Sequence, residues 1–151
     1  MPLRNLSRPS QVIAWLEDWG EQLREPANLI LIGSGGILWQ AANAGHDDAL
    51  SENSMDVDPI TDSEAVAELA YEAMIGSEFE KKHGWHVNLM PDFALRDLPE
   101  GWKSRCSRGV YGHLSVEVPS VADLLAPKLK RNEPRDRAHQ AYAIALGLLP
   151  S

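Results

Sequence analysis

The chain is short of cysteine, of positive charge and of long apolar runs, and each shortage closes off a class of explanation. One cysteine among 151 residues, Cys106, permits no internal disulfide and suits a reducing cytosol. No apolar stretch approaches the roughly 18 residues needed to span a bilayer. The opening Met1-Pro2-Leu3-Arg4 lacks the apolar core of a signal peptide. A cytoplasmic protein with no membrane partner is therefore expected. Lys and Arg total 14 against 22 Asp and Glu, a formal charge of −8. That balance opposes broad, non-specific nucleic-acid binding, which depends on neutralising phosphates. There is no internal repeat and no low-complexity tract. What remains, 44% hydrophobic and 24% charged residues, is the composition of an ordinary globular protein. Residues 1–151 are expected to form one domain with its own core.

Periodicity and punctuation give an order of elements. Val12, Ile13, Leu16, Trp19 and Leu23 recur at three- and four-residue spacings and predict a helix over residues 7–23, capped by Ser10 or by Ser7 with Pro9 in the first turn. The apolar run 28–32, bounded by Pro26 and Gly33, predicts a strand buried on both faces. A short helix over 37–44, a polar loop over 46–53 and a strand over 55–59, ended by Pro59, follow. Thr61 or Ser63 opens a further helix with the stripe Val66, Leu69, Ala70, Ala73, Met74, which Gly76 ends or extends into 78–82. Residues 85–90 predict a third strand, and 92–102 a loop. Residues 104–118 predict a hairpin turning at Arg108-Gly109. Ser120 caps a helix that Pro127 should kink, and Pro134 opens the last one. The fold class expected is α/β or α+β, with a mixed sheet of four or five strands flanked by helices.

Two patterns carry chemistry. The strand at 28–32 delivers Gly33-Ser34-Gly35-Gly36 to a helix start, where exposed backbone N–H groups and the helix dipole favour phosphate. Asp56 and Asp58 stand at i and i+2 on a strand, so their carboxylates share a face and suit Mg2+, which one or two carboxylates hold together with substrate phosphates. Together they point to metal-dependent chemistry on a nucleoside triphosphate. The competing readings are a solvated Asp-x-Asp and a tight turn that needs glycine only for its backbone freedom. A dinucleotide fingerprint fails because Leu38 stands where its third glycine belongs, and no Gly-Lys-Ser/Thr follows to make a P-loop. Lys128, Lys130, Arg131, Arg135 and Arg137 form a local basic run. It suits triphosphate and a nucleic-acid acceptor, or else a solvated helix end. Asp123 and Asp136 read as caps or partners for these bases. His83, His86 and Cys106 lack a fourth ligand at zinc spacing, and the five tryptophans read as packing residues.

In this order, Ile32-Gly33-Ser34 followed by Asp56-Val57-Asp58 resembles the nucleotidyltransferase superfamily of DNA polymerase β and kanamycin nucleotidyltransferase. The run Asp123-Leu124-Leu125-Ala126-Pro127-Lys128-Leu129, then Arg135-Asp136-Arg137, is similar to small bacterial nucleotidyltransferase-like proteins related to abortive-infection toxins. The resemblance spans about residues 29–145. It implies that Asp56 and Asp58 are catalytic and hold Mg2+ for in-line attack on the α-phosphorus. It also implies that Gly33, Ser34 and Lys128 bind the nucleotide, and that the acceptor is an RNA such as tRNA, or a protein. A toxin–antitoxin system, with an antitoxin as partner, is the implied setting. A small-molecule acceptor fits less well, because no separate substrate-binding domain is evident. The gap from Gly33 to Asp56 is longer than usual for the superfamily, and Glu52 stands where its relatives often carry arginine. Asn88 occupies the strand position where active members place a third acid, with Asp92 and Glu117 as substitutes. Asn88 favours a second reading, a degenerate member that binds nucleotide or a protein partner without turnover.

Overall fold

The computed structural model describes residues 6–50 and 54–149; Glu52 lies outside them. Five strands form one mixed sheet: β1 (Ala27–Ile32), β2 (Asp56–Ile60), β3 (His86–Val87), β4 (Ser107–Tyr111) and β5 (Leu114–Val118), in the order β3-β2-β1-β5-β4. The central β1 runs antiparallel to β2 and parallel to β5. Among the described residues seven helices accompany it: α1 (Pro9–Gln22), α2 (Gly33–Asn43), α3 (Glu64–Glu72), α4 (Glu78–His83), α5 (Trp102–Arg105), α6 (Val121–Arg131) and α7 (Pro134–Ala145), with a 3-10 helix over Asp92–Asp97. The architecture is thus mixed α/β, as the pattern of alternating elements predicts. No helix among the described residues is long and apolar enough to cross a membrane.

The two faces of the sheet differ. Leu29, Leu31, Val57, Val87, Leu114, Val116 and Val118 are all buried, in a core shared with Val12, Trp15, Leu16 and Trp19 of α1 and Ile37 and Leu38 of α2. The alternate residues on β1 tell another story: Asn28 is exposed, and Ile30 and Ile32 are only partly covered. The expectation of a strand buried on both faces is therefore wrong for β1. Its apolar run includes two isoleucines that line clefts instead of core. Glycine permits one close approach on the covered side: a Cβ on Gly20 of α1 would overlap the carbonyl of Tyr111, next to where His113 N–H donates to Gly20 O at 3.2 Å.

Other boundaries shift for identifiable reasons. Neither Ser7 nor Ser10 caps α1; Arg8 is the N-cap, and Gln11 Oε1 accepts from the backbone N–H groups of Ser7 and Arg8 at 2.8 Å. Helix α2 begins at Gly33, a turn earlier than predicted, so the glycine run belongs to the helix itself. Strand β2 continues through Pro59 to Ile60, and the Pro59 carbonyl accepts from Met90 N–H at 2.9 Å. Residues 78–83 form a separate helix, with Ser77 as its cap and Gly84 left-handed at its end. The third strand is only His86–Val87, and the expected loop over 92–102 contains the 3-10 turn. The hairpin turns at Gly112-His113, while Arg108 and Gly109 lie within β4, paired with Glu117 and Val116. Helix α6 runs on through Pro127, and Ser120 and Pro134 open their helices where expected.

Candidate functional site

Strand pairing places the site on the open face. Asp58 lies opposite Ile32 across the β1–β2 ladder, and Asp56 lies opposite His86 across β2–β3. Side chains alternate along strands, so Asp56, Asp58, His86 and Asn88 all point to one face. Gly33 follows directly after Ile32, with φ +72, a conformation that costs a residue with a Cβ about 1 kcal/mol or more. It is also in contact with Asp58: a Cβ there would overlap Oδ2 of that carboxylate. Glycine at 33 therefore serves two ends at once, the turn into α2 and the room for Asp58.

A cleft of about 390 Å³ opens over this point. Gly33 and Asp58 form one wall, and Lys128, Lys130 and Arg131 of α6 form the other, with Asp97 from the 3-10 helix at its edge. Gly33, Asp58 and Lys128, far apart in sequence, thus meet in one place. Ser34 does not join them through its side chain: it is buried, and its hydroxyl is engaged with Ser54 Oγ at 2.7 Å. Ser54 Oγ in turn donates to the carbonyl of Asp56 at 3.2 Å, so this pair fixes the start of β2 against α2. Asn88 reaches the site as an amide, with Nδ2 donating to Asp58 Oδ1 at 3.1 Å.

The electrostatics of the cleft are unsatisfied. Burial, reinforced by the neighbouring Asp56 carboxylate, pushes Asp58 up to about 6, although Asn88, Lys128 and His86 pull it back. Burial likewise lowers Lys128, against the opposing pull of Asp136 and Asp58. Two carboxylates side by side on one face, with a partly desolvated lysine near Asp58, form a place where a divalent cation and an anion would both be favoured. A third group stands behind Asp56: His86 Nε2 lies 3.9 Å from Asp56 Oδ2, and its Nδ1 lies 2.8 Å from Glu80 Oε2.

Asp123, Asp136, Arg135 and Arg137 are occupied elsewhere. Asp123 is buried and accepts two hydrogen bonds from Arg105, both at 2.9 Å, and one from Ser120 Oγ at 2.8 Å. The Arg105 hydrogen bond leads in holding its carboxyl below the usual range. Asp136 is fully buried; burial raises it, but Arg131 at 2.8 Å, the backbone of Glu133 and Lys128 together bring it below the ordinary value. Arg135 lies 3.8 Å from Glu133, and Arg137 donates to Asn132 O at 2.9 Å. Of the basic run, only Lys128, Lys130 and Arg131 line the cleft. Asp92 and Glu117, the substitutes for a third acid, line a neighbouring cleft instead.

The zinc pattern dissolves into other contacts. His83 packs against Phe79 at 4.3 Å, His86 faces Glu80, and the Cys106 thiol donates to Lys103 O at 2.9 Å. Among the described residues there is no group of three or more His, Cys, Asp and Glu placed to hold a metal. Asp56 and Asp58 remain a pair, the number that Mg2+ takes when substrate phosphates supply the other ligands. Sequence reasoning passed over Asp97 as a cleft residue and Glu80 as a partner of His86. His86 carried a usable signal, since it stands two residues before Asn88 on the same face. Set against known proteins, the chain matches no family model, no curated protein and no solved structure.

Proposed function

We propose that this chain is a Mg2+-dependent nucleotidyltransferase of the polymerase β-like fold, which moves a nucleotide from a nucleoside triphosphate to an acceptor. The observation that carries the reading is the convergence of Gly33, Asp58 and Lys128 on one cleft, with Asp58 raised to about 6 by burial and by Asp56. In it, Asp56 and Asp58 hold Mg2+, which when bound supplies positive charge to the triphosphate. The N-terminal backbone of α2 at Gly33 faces phosphate oxygens, and Lys128, Lys130 and Arg131 offset their charge; Ser34 contributes through its place in the same turn, not through its buried hydroxyl. The acceptor oxygen bonds to the α-phosphorus, the α–β bridging P–O bond breaks, and pyrophosphate leaves with that electron pair. The acceptor proton passes to water. These residues position and neutralise; none forms a covalent link to the nucleotide.

Asn88 favours a second reading, nucleotide binding without turnover, because the third side chain at the carboxylate pair is an amide that already donates to Asp58. An amide brings no charge and accepts no proton. A toxin role with a cognate antitoxin follows from the resemblance of the α6 and α7 motifs and belongs to the same proposal.

The deciding experiment incubates the protein with each α-labelled nucleoside triphosphate, Mg2+ and a cell lysate, beside Asp56→Ala and Asp58→Ala variants. Label transferred by the wild type and lost in both variants supports the transferase. Triphosphate binding that survives without Mg2+, with no label transferred, supports the second reading.

A further inference from the structure

A second cleft, of about 700 Å³, adjoins the first on the open face, and Met90 belongs to the walls of both. Its floor is apolar: Ile30 and Ile60 face each other there, next to Met90 and Leu95. That isoleucine pair is the next same-face row after Ile32 and Asp58, roughly 7 Å along the strands. A molecule seated over it would hold a reactive group one step from the Asp58 carboxylate.

The two clefts carry opposite charge. Lys128, Lys130 and Arg131 face the first beside Asp58 and Asp97, whereas Asp62, Asp92 and Glu117 face the second with Lys103 as its one cation. Glu117 has Arg108 at 3.7 Å. Asp62 and Asp92 have neither a side-chain hydrogen bond nor an ion pair among the described residues. Two solvent-exposed carboxylates lining a cleft with an apolar floor repel a phosphate backbone and attract a cation whose body is apolar. The basic residues that would serve RNA are in the other cleft or are paired within α6 and α7.

We infer that this second cleft binds a small organic cation, an amine on an apolar body of about aromatic size. On the nucleotidyl-transfer reading, on which this last step alone rests, that molecule carries a hydroxyl and is the acceptor. The ammonium faces Asp62 and Asp92, the body covers Ile30 and Ile60, and the hydroxyl points along the face towards Asp58. Bond making and breaking are as given for the transfer above.

The test uses three probes of one shape and three charges: tyramine, 4-ethylphenol and 3-(4-hydroxyphenyl)propionate, each titrated into the full chain without nucleotide. Backbone amide chemical shifts are followed at Thr61, Asp62, Asp92, Leu95 and Lys103. Saturable shifts at these residues with tyramine, about tenfold weaker binding of the neutral probe and none of the anion are expected. Asp62→Asn with Asp92→Asn should weaken tyramine about tenfold and leave the neutral probe unchanged. Equal binding of all three probes, shifts confined to other residues, or a short single-stranded RNA shifting these amides instead would overturn the inference. Because no triphosphate is present, tyramine binding without label transfer would overturn the transferase reading alone. Label transfer without tyramine binding would overturn this inference alone.

Discussion

Two aspartates of the same fold, Asp58 and Asp123, are treated in opposite ways. Asp123 is buried with a two-pronged arginine and a serine hydroxyl, and its carboxyl is held low. Asp58 is partly buried beside another carboxylate, with one amide hydrogen bond, and its carboxyl is raised to about 6. Burying a charge costs free energy unless partners replace the lost water. The chain supplies those partners where α5 meets α6 and withholds them on the open face of the sheet. A compensated carboxylate stabilises the fold; an uncompensated one is kept at a cost and marks the site.

The sharpest break of this contrast is at the compensated side. Asp123→Ala should destabilise by about 3 kcal/mol at pH 7, because it removes the acceptor of the Ser120 hydroxyl and of both Arg105 hydrogen bonds. Chemical denaturation measures it, and a loss under 1 kcal/mol would mean that the pair contributes little. The stabilising effect of Asp123 belongs to its ionised form, so it is present above the unfolded value of 3.8 and disappears as pH falls through the lower folded one.

Asp58 should behave with the opposite sign. Its raised carboxyl favours the protonated folded state, so stability is greatest below 3.8 and falls as pH rises through about 6. Asp58→Asn should therefore stabilise the protein by about 2 kcal/mol at pH 7.5, and this gain should vanish below pH ~4. Thermal melts across that range decide it; destabilisation at neutral pH would show the carboxylate to be structural after all. At the facing wall, Lys128→Ala should weaken triphosphate binding about tenfold, or 1.4 kcal/mol, with little change in melting temperature. Isothermal titration would show it, and unchanged affinity would remove Lys128 from the site. The smallest effect is expected from Asn88→Ala, about 0.5–1 kcal/mol in stability, with a further upward shift of Asp58 as it loses a donor. A shift in the other direction would contradict the assigned hydrogen bond.

Much of the fold was legible because it is written in local patterns. The stripe from Val12 to Trp19, the cap at Ser120 and the proline at 134 act within one or two turns. The Asp56 and Asp58 pair was legible for the same reason, since i and i+2 share a face on any strand. What escaped depends on contacts distant in sequence. Gly109 looked like a turn residue, yet it lies inside β4 against the ring of Trp39, and the turn at Gly112-His113 is pinned to α1 through Gly20. Ile30 and Ile32 looked like core because nothing local says that one face of the sheet stays open. Asp97 reaches the cleft only through the placement of the 3-10 helix, which no spacing rule encodes.

The central claim, that the open-face carboxylate lacks the partners its buried counterpart has, is tested most directly by carbon-13 titration of the aspartate side-chain carboxyls, with and without Mg2+ and ATP. Asp58 should titrate near 6 in the free protein and move downward when Mg2+ and ATP are added together, while Asp123 stays below 3.8 throughout. An Asp58 midpoint at the ordinary value of 3.8, unmoved by the added Mg2+ and nucleotide, would contradict the account.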